Sequence, residues 1–418
     1  MFPASFRYDI RMSDSLKHPA ELRLVAEMEA MRGSNHGQSV LKTWLAGDFL
    51  ALPQRAIHVA GTNGKGSVIT WLEVLLKQKK QSTGSFISPH LISHNERLRL
   101  SGKPIAMEKW LQIYKSWRPV FQARKMTMFE MDLWMALALF EEQRPDWVLI
   151  ETGLGGGRDA TTALDYPIGI ITQTGMDHMA FLGGSRPEIA EAKAGIIKED
   201  MLIVSAEKDP DCLMVYESAC QKAPAGFFPI DEDLDFSGFW KDSLPAYQKD
   251  NFLCALKALQ LAGFAFTKEE LAEAVDAFFW PARFEILREN PLLILDGAHN
   301  PDGIEALVKS LAGLDPKLDA IYFSVLADKQ AAAMLKTLQS LDAKIHLVRF
   351  EETRLADLQK LADAYDLDVL SLDEMMDRLK SENKRALVCG SLYFAGAVLE
   401  RWKAEHPKSE EAAPAEAL

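Results

Sequence analysis

The sequence predicts an α/β fold: a doubly wound central sheet carrying a P-loop-like turn, followed by a smaller Rossmann-like α/β domain. Three observations carry this expectation. Short apolar runs alternate with longer helical patterns, the signature of β-α units around a largely parallel sheet. A glycine-rich turn containing a lysine joins the first such run to a helix, in HVAGTNGKGSVITWL at 58 to 72. The chain has 418 residues, more than one hydrophobic core usually serves, and the strand-to-loop pattern restarts after FFWPARFEIL.

The first strand is read in AIHVAG, 56 to 61, and runs straight into the turn. The standard phosphate-loop spelling, G-x-x-x-x-G-K-[ST], needs a glycine where Val59 stands and a hydroxyl where Gly66 stands. The chemistry survives the changed spelling. Gly61, Gly64 and Gly66 let backbone N–H groups turn inward around Thr62 and Asn63, Lys65 supplies a point charge, and Ser67 supplies a hydroxyl. The dipole and free N–H groups of the following helix would then face bound phosphates.

Four more strands are expected in STGSFIS (82 to 88), DWVLIET (146 to 152), PIGIITQT (167 to 174) and MLIVSA (201 to 206). Helical patterns lie between them, such as FEMDLWMALALFEEQ at 129 to 143. Ligands in such sheets gather beyond the carboxyl ends of the strands. Glu151 lies at one such end, before a glycine cluster, where an acidic residue either holds magnesium beside a phosphate loop or caps the turn. Asp177 and His178 end the next strand, and Lys193 follows on a helix. Each alone has an ordinary structural reading; their coincidence on one sheet edge makes them candidates.

The second unit is read from PLLILDGAHN, AIYFSVLADK, AKIHLVRF and RALVCGSLYF, each followed by a plausible helix. Residues 1–283 are therefore expected to form a nucleotide-binding domain with an N-terminal extension, 284–408 a second domain, and 409–418 a disordered tail. The net charge of −13, from 47 basic and 60 acidic residues, argues against broad nucleic-acid binding and against anionic membrane surfaces. No apolar run has bilayer-spanning length, MFPASFRYDIRMSD lacks a signal-peptide core, and the four cysteines show no C-x-x-C spacing. A cytoplasmic location is expected.

Seven motifs in this order, GTNGKGS, SPHLISHNERLRLSGKPI, ETGLGGGRDAT, GMDHMAFLG with IAEAKAGIIK, WPARFE, LDGAHNPDG and GSLYFAG, are together distinctive. Across roughly residues 56 to 400 the chain resembles the folylpolyglutamate synthase and dihydrofolate synthase family of ATP-dependent Mur-type amide ligases. The resemblance implies that Gly61, Thr62, Asn63, Gly64, Lys65, Gly66 and Ser67 bind the ATP phosphates. It implies that Ser67, Ser88, Glu151 and His178 serve magnesium, with two ions, and that Lys193 becomes a carbamylated lysine able to act as a further ligand. Asn251, Arg283 and Asp296, with His299 beside them, match nucleotide-contacting positions. Thr127, Met128, Phe129 and Glu130, with Arg158 and Asp159, match the side that holds the pterin-bearing acid. Lys65, His178 and Lys193 would carry catalysis. The implied substrates are ATP, L-glutamate and a folate or dihydropteroate, joined through an acyl phosphate by a monomer.

The chain departs from the family pattern in places. Arg158 and Thr162 stand where leucine and asparagine are usual, Tyr247 stands for a histidine before Gln248, and Ala192 for a glutamate before Lys193. The segment from 28 to 55 lacks the usual short L-G-N-P-type approach to the loop. Two other readings therefore stay open: a Mur-type ligase acting on a different carboxylate, and a nucleotide-binding homologue with impaired catalysis.

Overall fold

The computed structural model describes residues 19–31, 36–48, 55–231, 233–241, 243–312 and 317–406; the expected tail at 409–418 lies outside them. The first sheet contains β1 (Ala56–Ala60), β2 (Thr83–Phe86), β3 (Leu98–Leu100), β4 (Lys103–Pro104), β5 (Trp147–Glu151), β6 (Ile168–Ile171), β7 (Leu202–Ser205) and β8 (Gly226–Pro229). Its order is β4-β3-β2-β5-β1-β6-β7-β8, parallel from β2 to β8, with β3 antiparallel to both β2 and β4. The second sheet contains β9 (Glu285–Glu289), β10 (Leu292–Leu295), β11 (Ala320–Phe323), β12 (Lys344–Arg349), β13 (Asp368–Ser371) and β14 (Ala386–Cys389). Its order is β13-β12-β11-β14-β10-β9, with only β9 antiparallel.

Both sheets are covered on two faces, which is why their central strands read as unbroken apolar runs. In β1, Ile57 and Val59 enter one core while Ala56 and Ala60 enter the other. In β10, Leu293 and Leu295 face one core and Ile294 the opposite one. On one face of the first sheet, helix Lys65–Gln78 is buried against helix Tyr247–Leu261, with Trp71, Phe252 and Leu256 in the contact layer. No helix among the described residues is long and apolar enough to cross a membrane.

Strand order decides where chemistry can gather. The chain leaves β1 toward β2 on one side and passes from β5 to β6 across β1 on the other, so β1 sits at the reversal of the winding. The loops after β1, β5 and β6 therefore share one carboxyl edge. The carboxyl edge of the second sheet, at residues 296–300 and 324–329, faces it.

Candidate active site

The loop after β1 can be formed only by glycine at two points. Gly61 has φ 151°, and a Cβ there would lie 1.7 Å from Thr172 Oγ1. Gly64 has φ 89°, and its Cβ would lie 2.3 Å from Asn251 Oδ1. The loop after β6 holds the turn from the side. Thr62 N donates to Gln173 O (3.0 Å), Thr62 Oγ1 exchanges hydrogen bonds with Gly175 O and N (3.1 and 2.9 Å), and Thr172 Oγ1 donates to Asn63 O (2.6 Å). Helix Lys65–Gln78 then begins at Gly64 with no side-chain cap, whereas Thr127 and Ser185 cap the helices that follow them. Its first N–H groups and its dipole are left for an anion.

Lys65 Nζ donates to Gly61 O (3.2 Å) and Thr62 O (3.4 Å) and lies 3.8 Å from Glu151 Oε1. Glu151 is buried, and its Oε2 accepts from Ser88 N at 3.1 Å. Burial pushes its carboxyl up to about 7, against the opposing pull of Lys65, the Ser88 N–H and Arg283. Lys193 is 2% exposed, and among the described residues its amine has no hydrogen-bond partner. Burial, then the charge of Lys65, brings it down to about 7. His178 sits at φ 51° with its ring still 41% exposed, yet dehydration in the cleft and the charge of Lys329 bring the imidazole down to about 4. The charge of Lys65 bears on Glu151 at the end of β5, on His178 in the segment after β6 and on Lys193 in helix Arg186–Ala194.

This donor set suits a hard cation. Among the described residues no three His, Cys, Asp or Glu side chains converge as a metal cage. Magnesium needs none: it keeps waters and takes one or two carboxylates together with substrate phosphates. Glu151, the buried Ser67 hydroxyl, Ser88 and His178 could supply the protein's share. Lys193, a buried lysine whose amine is brought down to about 7, fits the chemistry of carbamylation, which would turn it into an oxygen donor.

The acid-binding side is arranged differently. Thr127 caps helix Met128–Gln143, and Glu130 closes the capping box through Thr127 N (2.8 Å) while its other oxygen accepts His36 N (2.9 Å). Asp159 accepts from Gly153 N (2.9 Å), Leu154 N (2.8 Å), Thr161 N (3.0 Å) and Thr161 Oγ1, so all of its roughly four lone-pair sites are used. Phe129 packs on Phe86 and occupies the space above Gly153. Met128 is half-buried beside it. Arg158 alone is exposed, with no ion pair or hydrogen bond among the described residues.

The nucleotide-contacting candidates sit at the junction of the two sheets. Asp296 Oδ2 accepts from Tyr247 OH (2.9 Å) and Phe284 N (2.8 Å), and its Oδ1 accepts from Ala298 N (2.8 Å). Arg283 donates to Ala282 O at 2.9 Å, and its charge reaches both Glu151 and Asp296. His299 Nδ1 bonds Gly297 O (2.9 Å), and its Nε2 lies 3.5 Å from Asp177 Oδ2. Asp177 also binds Lys329 (2.5 Å) and Asn300 Nδ2 (3.1 Å). Burial would raise its carboxyl, but the hydrogen bond and charge of His299, with Lys329 and His178, hold it well below the usual carboxylate range.

Asn63 and Asn300 exchange two amide bonds at 3.0 Å, and Arg186 pairs with Asp302, whose other oxygen accepts Met176 N (2.8 Å). Sequence reasoning missed Asn300, Asp302, Lys329 and Arg186 as parts of this junction. HNPDG, a polar turn directly after a buried strand, was the available signal for the first two; Lys329 and Arg186 offered none.

The chain is similar to known proteins over most of its length. The Mur ligase middle domain model matches residues 59–225, and the Mur ligase glutamate ligase domain model matches residues 282–392. A Bacillus subtilis protein named dihydrofolate synthase/folylpolyglutamate synthase is 32% identical over 391 residues, covering 84% of this chain and 90% of that one. An Escherichia coli protein of the same name is 29% identical over 363 residues, covering 82% and 85%. Among solved structures, E. coli FolC in complex with DHPP and ADP aligns with TM-score 0.83 and 25% identity, covering 92% of this chain and 98% of that one. A bifunctional folylpolyglutamate synthase/dihydrofolate synthase from Yersinia pestis, complexed with AMPPNP and a Mn ion, aligns with TM-score 0.83 and 26% identity, covering 92% and 98%. The chain therefore belongs to the dihydrofolate synthase/folylpolyglutamate synthase family of ATP-dependent acid–amino-acid ligases.

Proposed function

We propose that this chain adds L-glutamate to a folate, and also to dihydropteroate, through an acyl phosphate formed with ATP. The observation that carries the reading is Lys65, held by the carbonyls of Gly61 and Thr62 and 3.8 Å from the buried Glu151 carboxylate at an uncapped helix start. A carboxylate is a poor acyl donor because hydroxide is a poor leaving group. Phosphorylation by ATP solves this but brings two anions together. The loop N–H groups and Lys65 neutralise that repulsion with charges fixed before the reaction starts. Divalent ions, when bound, add Lewis-acid neutralisation of the same phosphates.

Glu151, Ser67, Ser88 and His178 hold the ions in this proposal, and Lys193 does so once carbamylated. Asn251, Arg283, Asp296 and His299 line the nucleotide side, and Arg158 presents a guanidinium to the acid. The amine of glutamate then attacks the acyl phosphate and displaces phosphate, with the facing sheet edges excluding water. The proposal further holds that residues 1–283 and 284–408 are the two domains, and that the chain acts as a cytoplasmic monomer on small molecules.

The test is incubation with Mg-ATP and L-glutamate plus dihydropteroate or tetrahydrofolate, following phosphate release and product mass. The expected product is heavier by one glutamyl residue, with phosphate released in equal amount. Absence of release with every pterin would overturn the substrate assignment.

A further inference from the structure

Gln248 is completely buried, and nothing in the mechanism above uses it. It lies in the first turn of helix Tyr247–Leu261, against the start of the phosphate helix. Its Oε1 accepts from Trp71 Nε1 at 3.0 Å and from Asn251 Nδ2 at 3.1 Å, and its Nε2 donates to Ser67 Oγ at 3.2 Å. An indole N–H can only donate, so Trp71 decides which end of the amide is oxygen and which is nitrogen. Trp71 is itself clamped: its ring stacks on Phe278 at 3.7 Å and 9°, and meets Phe252 edge-on at 5.1 Å and 81°. Donors therefore run one way, from indole to amide to hydroxyl.

The consequence falls on Ser67. Its oxygen accepts from Gln248, so its own hydrogen and its remaining lone pair are turned away from the amide. A hydroxyl is otherwise a free rotor that loses orientational freedom when it meets an ion. We propose that Gln248, oriented by Trp71, is a positioning residue that fixes the Ser67 hydroxyl so that its free lone pair meets the divalent cation of the phosphate site. The proposal rests on Ser67 being a ligand of that cation. Partners of this kind, bound to a ligand rather than to the metal, typically contribute about 10- to 100-fold in metal affinity.

The test measures Mn2+ affinity of the ADP complex, from the electron paramagnetic resonance signal of free Mn2+, in wild type, Ser67→Ala, Gln248→Met and the double variant. Binding of ADP without metal is measured alongside. Gln248→Met is expected to weaken Mn2+ about tenfold or more beyond any change in metal-free ADP affinity, and to add nothing to Ser67→Ala in the double variant. Trp71→Phe keeps the aromatic stack but leaves Asn251 as the amide oxygen's remaining donor; a loss of Mn2+ affinity, smaller than that of Gln248→Met, is expected. Unchanged Mn2+ affinity in Gln248→Met and Trp71→Phe, or losses that add in the double variant, would overturn the proposal. Unchanged affinity in Ser67→Ala would instead overturn the ligand assignment beneath it.

Discussion

The two walls of the cleft treat their polar groups in opposite ways. On the phosphate wall, groups stay open: no side chain caps helix Lys65–Gln78, and the buried Lys193 amine has no hydrogen-bond partner among the described residues. On the wall formed by 127–130 and 153–161, Thr127, Glu130 and Asp159 are closed into caps and loop hydrogen bonds. Open buried groups cost free energy that a ligand restores, whereas closed ones stabilise the scaffold. Asp296 on the nucleotide side is also hydrogen-bonded through both oxygens, so a closed carboxylate and a ligand-side position are compatible.

The contrast is broken most forcefully at Lys65. Lys65→Ala should reduce turnover by a hundredfold or more, about 3 kcal/mol in the transition state, with the fold retained. Steady-state kinetics check it; near-normal turnover would mean the phosphate wall is misread. Asp159→Ala should act in the opposite manner, because it leaves the N–H groups of Gly153, Leu154 and Thr161 without their acceptor. A loss of about 3 kcal/mol in denaturant stability is expected. Intact stability with weakened acid binding would move Asp159 to the ligand side.

Lys193 sharpens the contrast through pH. Its amine is brought down to about 7, so it is protonated and unreactive below that value and free to take up carbon dioxide above it. With 13C-bicarbonate, the carbamate resonance should grow as pH rises through 7 and fade as it falls to 6. A missing signal at pH 8 would argue against carbamylation. The smallest effect belongs to Arg158, which has no partner to lose among the described residues. Arg158→Leu should leave stability within about 0.5 kcal/mol while raising the KM for the acid a few-fold. An unchanged KM would remove Arg158 from the substrate wall.

The sheet centres were legible in the sequence because burial on both faces makes a strand one apolar run. AIHVAG, DWVLIET and PIGIITQT locate β1, β5 and β6 within a residue or three of their ends. The edges were not legible. β4 is two exposed residues, and β9 reads EILRE with its alternation blurred by partial exposure, so neither carries an apolar signal. Glycine spacing with Lys65 disclosed the phosphate turn, since its backbone forbids other residues. The junction stayed hidden for another reason: Asp177, Asn300 and Lys329 meet only because two sheet edges face each other, and no local pattern encodes a contact spanning 152 positions. The closed state of Asp159 and Glu130 was equally invisible, because a motif reports residue type and not which lone pairs are already taken.

In the proposed reaction ATP activates the acid itself. The direct measurement is turnover with pterin substrate whose acceptor carboxylate carries 18O, followed by mass analysis of the released phosphate. An acyl phosphate delivers one carboxylate oxygen to the leaving group, so each phosphate should contain one 18O atom. Glutamylated product accompanied by phosphate free of 18O would contradict it.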